Sequence, residues 1–272
     1  MTGENQPRGT IFDQDPALYD AMRPTYPDAL FDALASGAQL SPDSRVLEIG
    51  AGTGQATVAL AGRGYRVIAL EPGPAMAEIA RRKLSAFPHV TVEVTTFEAW
   101  PSPVEPFDAV VAATSFHWLD PGVRISKAAQ VLRVGGSLAI LSTHHVAGGS
   151  DDFFEEAQSC YERFDPSTPP GPRLPREEDV PTSVHEFEGS HGSFGPVAVE
   201  RVAWEREYTT DGYQRLLMTY SGHRALDRRT LGRLLDCIAH LMETSFGGRI
   251  TKRYLFELAM APKAPSISTA AD

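Results

Sequence analysis

Residues 46–57 read VLEIGAGTGQAT. The run RVLEI (45–49) is short, apolar and closed by Gly50, the pattern of a buried strand. TGQATVALAGRG (53–64) has helical character and stops at a glycine. Gly50, Gly52 and Gly54 therefore fall between a strand and a helix. A turn there is tight, and its backbone N–H groups can approach a ligand with no side chain in the way. In an open parallel sheet such a ligand lies beyond the carboxyl ends of the strands, at the point where strand order reverses.

Outward from this stretch the alternation continues. YRVIAL (65–70) predicts a second strand and PAMAEIARRKLSAF (74–87) a second helix, with Pro74 in its first turn. VTVEV (90–94), FDAVVAAT (107–114) and GGSLAILST (135–143) predict three more strands, with a helix near 121–132. Strands alternating with helices imply βαβ units and a mostly parallel sheet covered on both faces. After Ser142 the pattern changes. DDFFEEAQSCYERF (151–164) predicts a helix, and 165–196 is broken by prolines and glycines. VAVERVAWEREYT (197–209) predicts a strand, two helices follow near 210–220 and 227–244, and RITKRYLFELAM (249–260) predicts a last strand. The expected fold is α/β, a doubly wound Rossmann-like sheet of seven strands with its last two antiparallel to each other. The expected divisions are an N-terminal helical cap (1–40), a core (41–142), a partly helical lid with a late core strand (143–247), a final sheet strand (248–261) and a disordered tail (262–272). Residues 1–10 also read as disordered.

Glu71 ends the second strand roughly 20 residues after the glycine turn, where an acid can accept both ribose hydroxyls of an adenosine. The third glycine of a dinucleotide-binding GxGxxG is replaced by Gln55. Glu48 puts a carboxylate inside the first strand, where a buried acid needs a partner such as a backbone amide or a ligand ammonium. Asp108, at the start of its strand, lies at the wrong end of the sheet for chemistry and reads as structural.

With these residues in view, VLEIGAGTG (46–54) resembles motif I of class I S-adenosylmethionine (SAM)-dependent methyltransferases. ALEPGPAM (69–76) resembles their segment after motif I, FDAVVAATSFHW (107–118) their fourth-strand motif, and VLRVGGSLAI (131–140) their fifth. The resemblance is strong over about 40–145. Elsewhere it is one of type only, similar to the small-molecule branch that includes trans-aconitate methyltransferases. It implies SAM as cofactor, S-adenosylhomocysteine (SAH) as product and a small-molecule methyl acceptor; oxygen or carboxylate is favoured over nitrogen or carbon as the acceptor atom, which the sequence leaves open. It also implies that Gly50, Ala51, Gly52 and Gly54 meet the methionine part of SAM, with Glu71, Pro72 and Met76 at the ribose. The segment TTFEAWP (95–101) resembles the adenine-binding stretch. Thr96 stands where the family often has an acid, so Thr96, Phe97 and Glu98 are the candidates, with Ala113 near the donor. In YDAMRPTYP (19–27), Tyr19 and Arg23 are candidates to cover SAM and meet its carboxylate.

Methyl transfer asks mainly for alignment, a dry site and π-faces near a sulfonium. Phe116 and Trp118 follow the fourth strand and are candidates to line the active site. An acceptor hydroxyl or amine would be helped by a base, and His117, His144 and His145 are placed for it. TYSGHRALDRR (219–229) offers Tyr220, His223 and Arg224, and GGRITKRY (247–254) offers Lys252, Arg253 and Tyr254. In an acidic protein these basic residues can mark the pocket of an anionic acceptor, or be ordinary surface charges.

The net charge of −10 opposes binding to a phosphate backbone, so nucleic acid is not an expected partner. No apolar run is long enough to span a bilayer, and the N-terminus does not read as a signal peptide. Cys160 and Cys237 belong to no metal-ligand pattern and read as reduced structural thiols of a cytoplasmic protein. His185, Glu186, Glu188 and His191 lack compact ligand spacing, so no metal is expected. The sequence leaves open the oligomeric state. A nicotinamide-dependent oxidoreductase and a SAM-binding protein that transfers no methyl are the rival readings.

Overall fold

The computed structural model describes residues 13–165 and 174–265. Seven strands form one sheet among these residues: β1 (Arg45–Ile49), β2 (Arg66–Leu70), β3 (Val90–Glu93), β4 (Phe107–Ala113), β5 (Leu132–Val146), β6 (Ala198–Thr209) and β7 (Arg249–Pro262). Their order is β3-β2-β1-β4-β5-β7-β6. The first five run parallel, and β7 is antiparallel to both β5 and β6. The expected α/β class, strand number and antiparallel last pair are all present. Strand order reverses between β1 and β4, which places the switch point directly beyond Ile49 and Ala113.

The central strands are apolar on both faces because both are covered. One layer holds Leu30, Phe31 and Leu34 of α2 (Asp28–Gly37) with Val46, Val111, Phe256 and Leu258. The other holds Leu47, Ile49, Phe107, Val110 and Leu138. The parallel half is wound by α3 (Gln55–Gly62), α4 (Pro74–Lys83) and α5 (Arg124–Val131). Asp108 accepts the Arg45 amide at 2.7 Å and the Arg133 guanidinium at 2.6 Å, a structural tie at the far edge of the sheet from the switch point.

The C-terminal half packs α6 (Asp151–Phe164), α7 (Thr210–Leu217), the single turn α8 (Ser221–Arg224) and α9 (Arg228–Ser245) against the β6–β7 part of the sheet. α1 (Pro16–Met22) has no fully buried residue; Met22 packs partly buried against the core, and polar ties hold the rest. Asp13 just before it accepts the Met76 amide at 2.9 Å, Asp20 pairs with Lys83 at 2.7 Å, and Arg23 donates to the Thr219 carbonyl at 2.9 Å.

Two expectations are corrected. Cys160 on α6 and Cys237 on α9 are joined in a disulfide, with Cα atoms 5.9 Å apart. The residues are 77 apart in sequence, and only the packing of the two helices brings them together. The reduced-thiol reading is overturned, and the expectation of a cytoplasmic location loses that support. The expected disordered tail begins too early: Pro262 ends β7, and Lys263 bridges Phe194 and donates its ammonium to the Leu132 carbonyl at 2.7 Å. The remaining tail residues 266–272, the N-terminal stretch 1–12 and residues 166–173 of the irregular segment lie outside the described residues. Among the described residues no helix is long and apolar enough to cross a membrane.

Candidate active site

The carboxyl ends of β1, β2 and β4 open into a cleft of about 690 Å³. Gly50 and Gly52 form one side, with Glu71, Pro72 and Met76 beside them; Thr96, Phe97 and Glu98 lie across, with Ala113, His117 and Trp118 at the mouth. The sequence-predicted cofactor residues are thus largely brought together.

The turn works differently from the expectation. The amides of Gly50 and Ala51 both donate to the Leu70 carbonyl, at 2.8 and 3.0 Å. The Gly52 amide donates to Glu71 Oε2 at 2.8 Å, and the Gly73 amide to Oε1 of the same carboxylate at 2.8 Å. These amides are used within the protein, so the glycines contribute clearance. Gly50 has φ +69, and a Cβ there would stand 2.6 Å from the Ser115 Cβ. Ser115 cannot retreat easily, since its Oγ donates to the Ile49 carbonyl at 2.5 Å. Gly54 is the left-handed N-cap of α3 and, like Ala51, does not line the cleft.

Burial raises the Glu71 carboxyl above its ordinary pKa, against the pull of the Gly73 and Gly52 amides. Each of its oxygens accepts one of these amides, which leaves further lone pairs at the cleft. Glu48 lies beneath the turn, 1% exposed, with Oε2 lacking any hydrogen-bond partner. Burial pushes its pKa up to about 8. The Thr57 hydroxyl lies close enough to oppose that rise, and the Thr53 hydroxyl on the same loop lacks a partner. A glycine-cleared turn above a buried carboxyl with one unpartnered oxygen, and an acid at the end of β2, fits a nucleoside carrying an amino-acid tail.

A second, smaller chamber of about 200 Å³ adjoins the cleft, and Tyr19 and Thr114 line both. Its floor is the ends of β5 and β7: Thr143, His144, His145, Lys252 and Tyr254. Arg23 and Tyr220 close it from the helical side, with Pro24, Tyr26 and Gln55 at the edge. Tyr26 is fixed by a 2.9 Å hydrogen bond to Thr114. The Nε2 atoms of His144 and His145 are buried without partners. Burial, aided by the Lys252 charge, lowers the His145 pKa to about 2, so that ring is neutral and a poor base. Burial likewise lowers His144.

Four of the candidates on the substrate side stand elsewhere. Phe116 is 2% exposed in the apolar layer, under the Arg124 guanidinium at 4.8 Å, and lines neither space. Arg253 points to the opposite face of β7 from Lys252 and pairs with Glu177 at 2.6 Å and with Glu205. His223 lies behind the chamber wall, 3.1 Å from the Tyr161 hydroxyl. Arg224 lines neither chamber, and its guanidinium donates to the Met218 carbonyl at 2.9 Å. The residues that sequence reasoning missed are Thr114, Thr143, Tyr26 and Ser115. For Thr114, Thr143 and Ser115 the only signal was position, in the last residues of a strand or just past it; Tyr26, in the link between α1 and α2, carried none. Among the described residues no group of three or more His, Cys, Asp or Glu could hold a metal ion. Glu186 instead pairs with Arg124 at 2.6 Å.

This combination of sheet order, glycine turn and strand-end acid is set on a Rossmann-like fold. Residues 46–136 match the model of the methyltransferase domain family. An uncharacterised methyltransferase of Mycobacterium tuberculosis is 36% identical over 141 residues, which is 52% of this chain and 55% of the relative. An uncharacterised methyltransferase-like protein of Schizosaccharomyces pombe is 32% identical over 131 residues, 48% of this chain and 50% of the relative. The chain spans about half the length of these curated relatives. A candidate type II methyltransferase from Anaeromyxobacter dehalogenans superposes with a TM-score of 0.58 at 24% identity, covering 89% of this chain and 99% of that one. The [4+2]-cyclase SpnF shares the fold at a TM-score of 0.54 and 17% identity, covering 94% of each chain.

Proposed function

We propose that this protein transfers a methyl group from SAM to a small-molecule acceptor, at a hydroxyl or carboxylate oxygen. The observation that carries this reading is the pair of adjoining spaces. A nucleoside-sized cleft at the switch point meets a chamber of about 200 Å³ across Tyr19 and Thr114. That volume suits a metabolite rather than a polymer. When bound, SAM supplies an electrophilic methyl on a sulfonium, and the protein's work is then alignment and exclusion of water.

Gly50 and Gly52 would give clearance for the methionine part, and Glu48 would offer its unpartnered carboxylate toward the amino-acid end. Glu71 would use its remaining lone pairs for the ribose hydroxyls, with Thr96, Phe97 and Glu98 around the adenine. Tyr19 and Arg23 would cover the methionine end. Tyr19, Tyr26 and Tyr220 would surround the reacting atoms with π-faces. The unpartnered Nε2 atoms of His144 and His145 would hydrogen-bond the acceptor and orient it rather than deprotonate it.

The test is calorimetric titration with SAM, SAH and NADH, followed by a screen for SAH release from SAM in a metabolite extract. Micromolar binding of the first two, none of NADH, and SAH release on adding extract are the expected results. Binding of NADH alone, or SAM binding with no SAH formed under any acceptor mixture, would overturn the reading.

A further inference from the structure

Lys252 is 5% exposed, on the chamber floor. Its ammonium lies 5.3 Å from the Tyr254 ring, 5.7 Å from Tyr220 and 5.8 Å from Phe154. Among the described residues no carboxylate pairs with it. The charged neighbours are of its own sign: Arg23 on the end of α1, and Arg206, which sits directly opposite Lys252 in the β6–β7 register. Arg23 is held by a carbonyl and by the rings of Tyr19 and Tyr220, and Arg206 by the Met22 carbonyl and the Tyr208 ring. The other polar groups lining the chamber are hydroxyls, one amide and the two unpartnered histidines. No acid lines it, in a protein whose net charge is −10.

A buried ammonium without a counter-charge is costly, and a fold retains one where a ligand supplies that charge or where its proton is exchanged. Burial and the nearby Arg23 lower its pKa to about 7, so Lys252 sits between those two states near neutrality.

We propose that Lys252 selects the methyl acceptor, and that the acceptor is a small acid whose ionised oxygen pairs with the Lys252 ammonium and receives the methyl group. This rests on the methyltransferase reading above. An acceptor that arrives protonated gives its proton to Nζ, while one that arrives ionised meets the ammonium directly. The oxygen's lone pair forms the new bond to carbon, and the electron pair of the broken carbon–sulfur bond stays on sulfur. The negative oxygen and the positive sulfonium cancel, so both products are uncharged at the reacting atoms. The methylated oxygen then has nothing to hold it to Lys252, which favours release. Carboxylates, phenolates and enolates share this chemistry. The aromatic walls at Tyr19, Tyr26, Tyr220 and Tyr254 suit a flat one.

The experiment uses the full chain saturated with SAH and measures thermal upshift with pairs of similar shape: benzoate against benzamide, and 4-nitrophenolate against nitrobenzene. It is run on wild type, Lys252→Met and Lys252→Arg. The expected result is at least one pair in which the acid stabilises the SAH complex by several degrees more than its neutral partner. That preference disappears in Lys252→Met and survives in Lys252→Arg, while SAH affinity stays within threefold of wild type in both. The responding pair separates a carboxylate acceptor from a phenol or enol. If no acid outperforms its neutral partner, or if Lys252→Met keeps the preference, the proposal is wrong. Failure of wild type to bind SAH at all would instead sink the methyltransferase reading, and this proposal with it.

Discussion

Glu71 holds the Gly52 amide at 2.8 Å and the Gly73 amide at the same distance, so one carboxylate ties the glycine turn to the turn leaving β2. Removing it strands two buried amides, each worth about 1–3 kcal/mol when left unpaired. Glu71→Ala is expected to lower unfolding free energy by about 2–4 kcal/mol and to weaken SAH binding at least tenfold. Urea unfolding and calorimetry read the two effects. Full SAH affinity in this variant would remove Glu71 from the cofactor site.

Gly50→Ala places a Cβ against Ser115 in a left-handed conformation that alanine adopts only under strain. A folded chain with no measurable SAH binding is expected. Pairing it with Ser115→Gly relieves the collision but not the backbone strain, so partial recovery of SAH binding is expected. No recovery would mean that the strain alone closes the turn. Gly52→Val, whose added bulk would meet the Met76 side of the cleft, should likewise abolish binding without unfolding the chain.

Glu48 gives a pH dependence of definite sign. Its folded pKa is raised to about 8 from an ordinary 4.5. Between these values the folded state holds a proton that the unfolded state has released, so stability falls as pH rises through this window. Glu48→Gln removes that slope, and the variant should gain on wild type from pH 5 to pH 8 by on the order of a few kcal/mol. Parallel melting curves cancel the contributions of other titrating groups. Equal slopes would show that Glu48 is ionised in the folded protein.

The Cys160–Cys237 bond closes a loop of 77 residues between α6 and α9. Restricting the unfolded chain this way is worth about 2–4 kcal/mol. Cys160→Ser, or reduction by dithiothreitol, should lower stability by that amount while leaving SAH affinity unchanged, because neither cysteine borders the cleft. An unchanged melting temperature under reducing conditions would show that the bond does not form in solution.

The parallel half was legible because each strand there is an apolar run bounded by a glycine or proline turn, and each acid or glycine of the cofactor cleft falls at a fixed offset from a strand end. The acceptor side was not. β7 is an interior strand buried on both faces, so Lys252 and Arg253 sit in equally apolar surroundings in the sequence. Alternation says only that they point opposite ways; the register with β5 and β6 decides which one faces the chamber. Phe116 was misplaced for a similar reason. The turn Phe116–Trp118 is 3₁₀-helical, so its three side chains point in three directions, and the apolar layer takes the first. The disulfide was hidden by a separation of 77 residues, which no local pattern spans.

One short helix, α1, walls both spaces: Tyr19 borders the cleft and the chamber, and Arg23 at its end closes the chamber alone. With no fully buried residue of its own, α1 rests on Met22 against the core and on polar ties from Asp13, Asp20 and Arg23. Any ligand that settles this helix prepares the neighbouring space for the other. Under the proposed function the two affinities would be coupled through one element, and linkage would make that coupling reciprocal: the factor by which SAH tightened the acceptor would be the factor by which the acceptor tightened SAH.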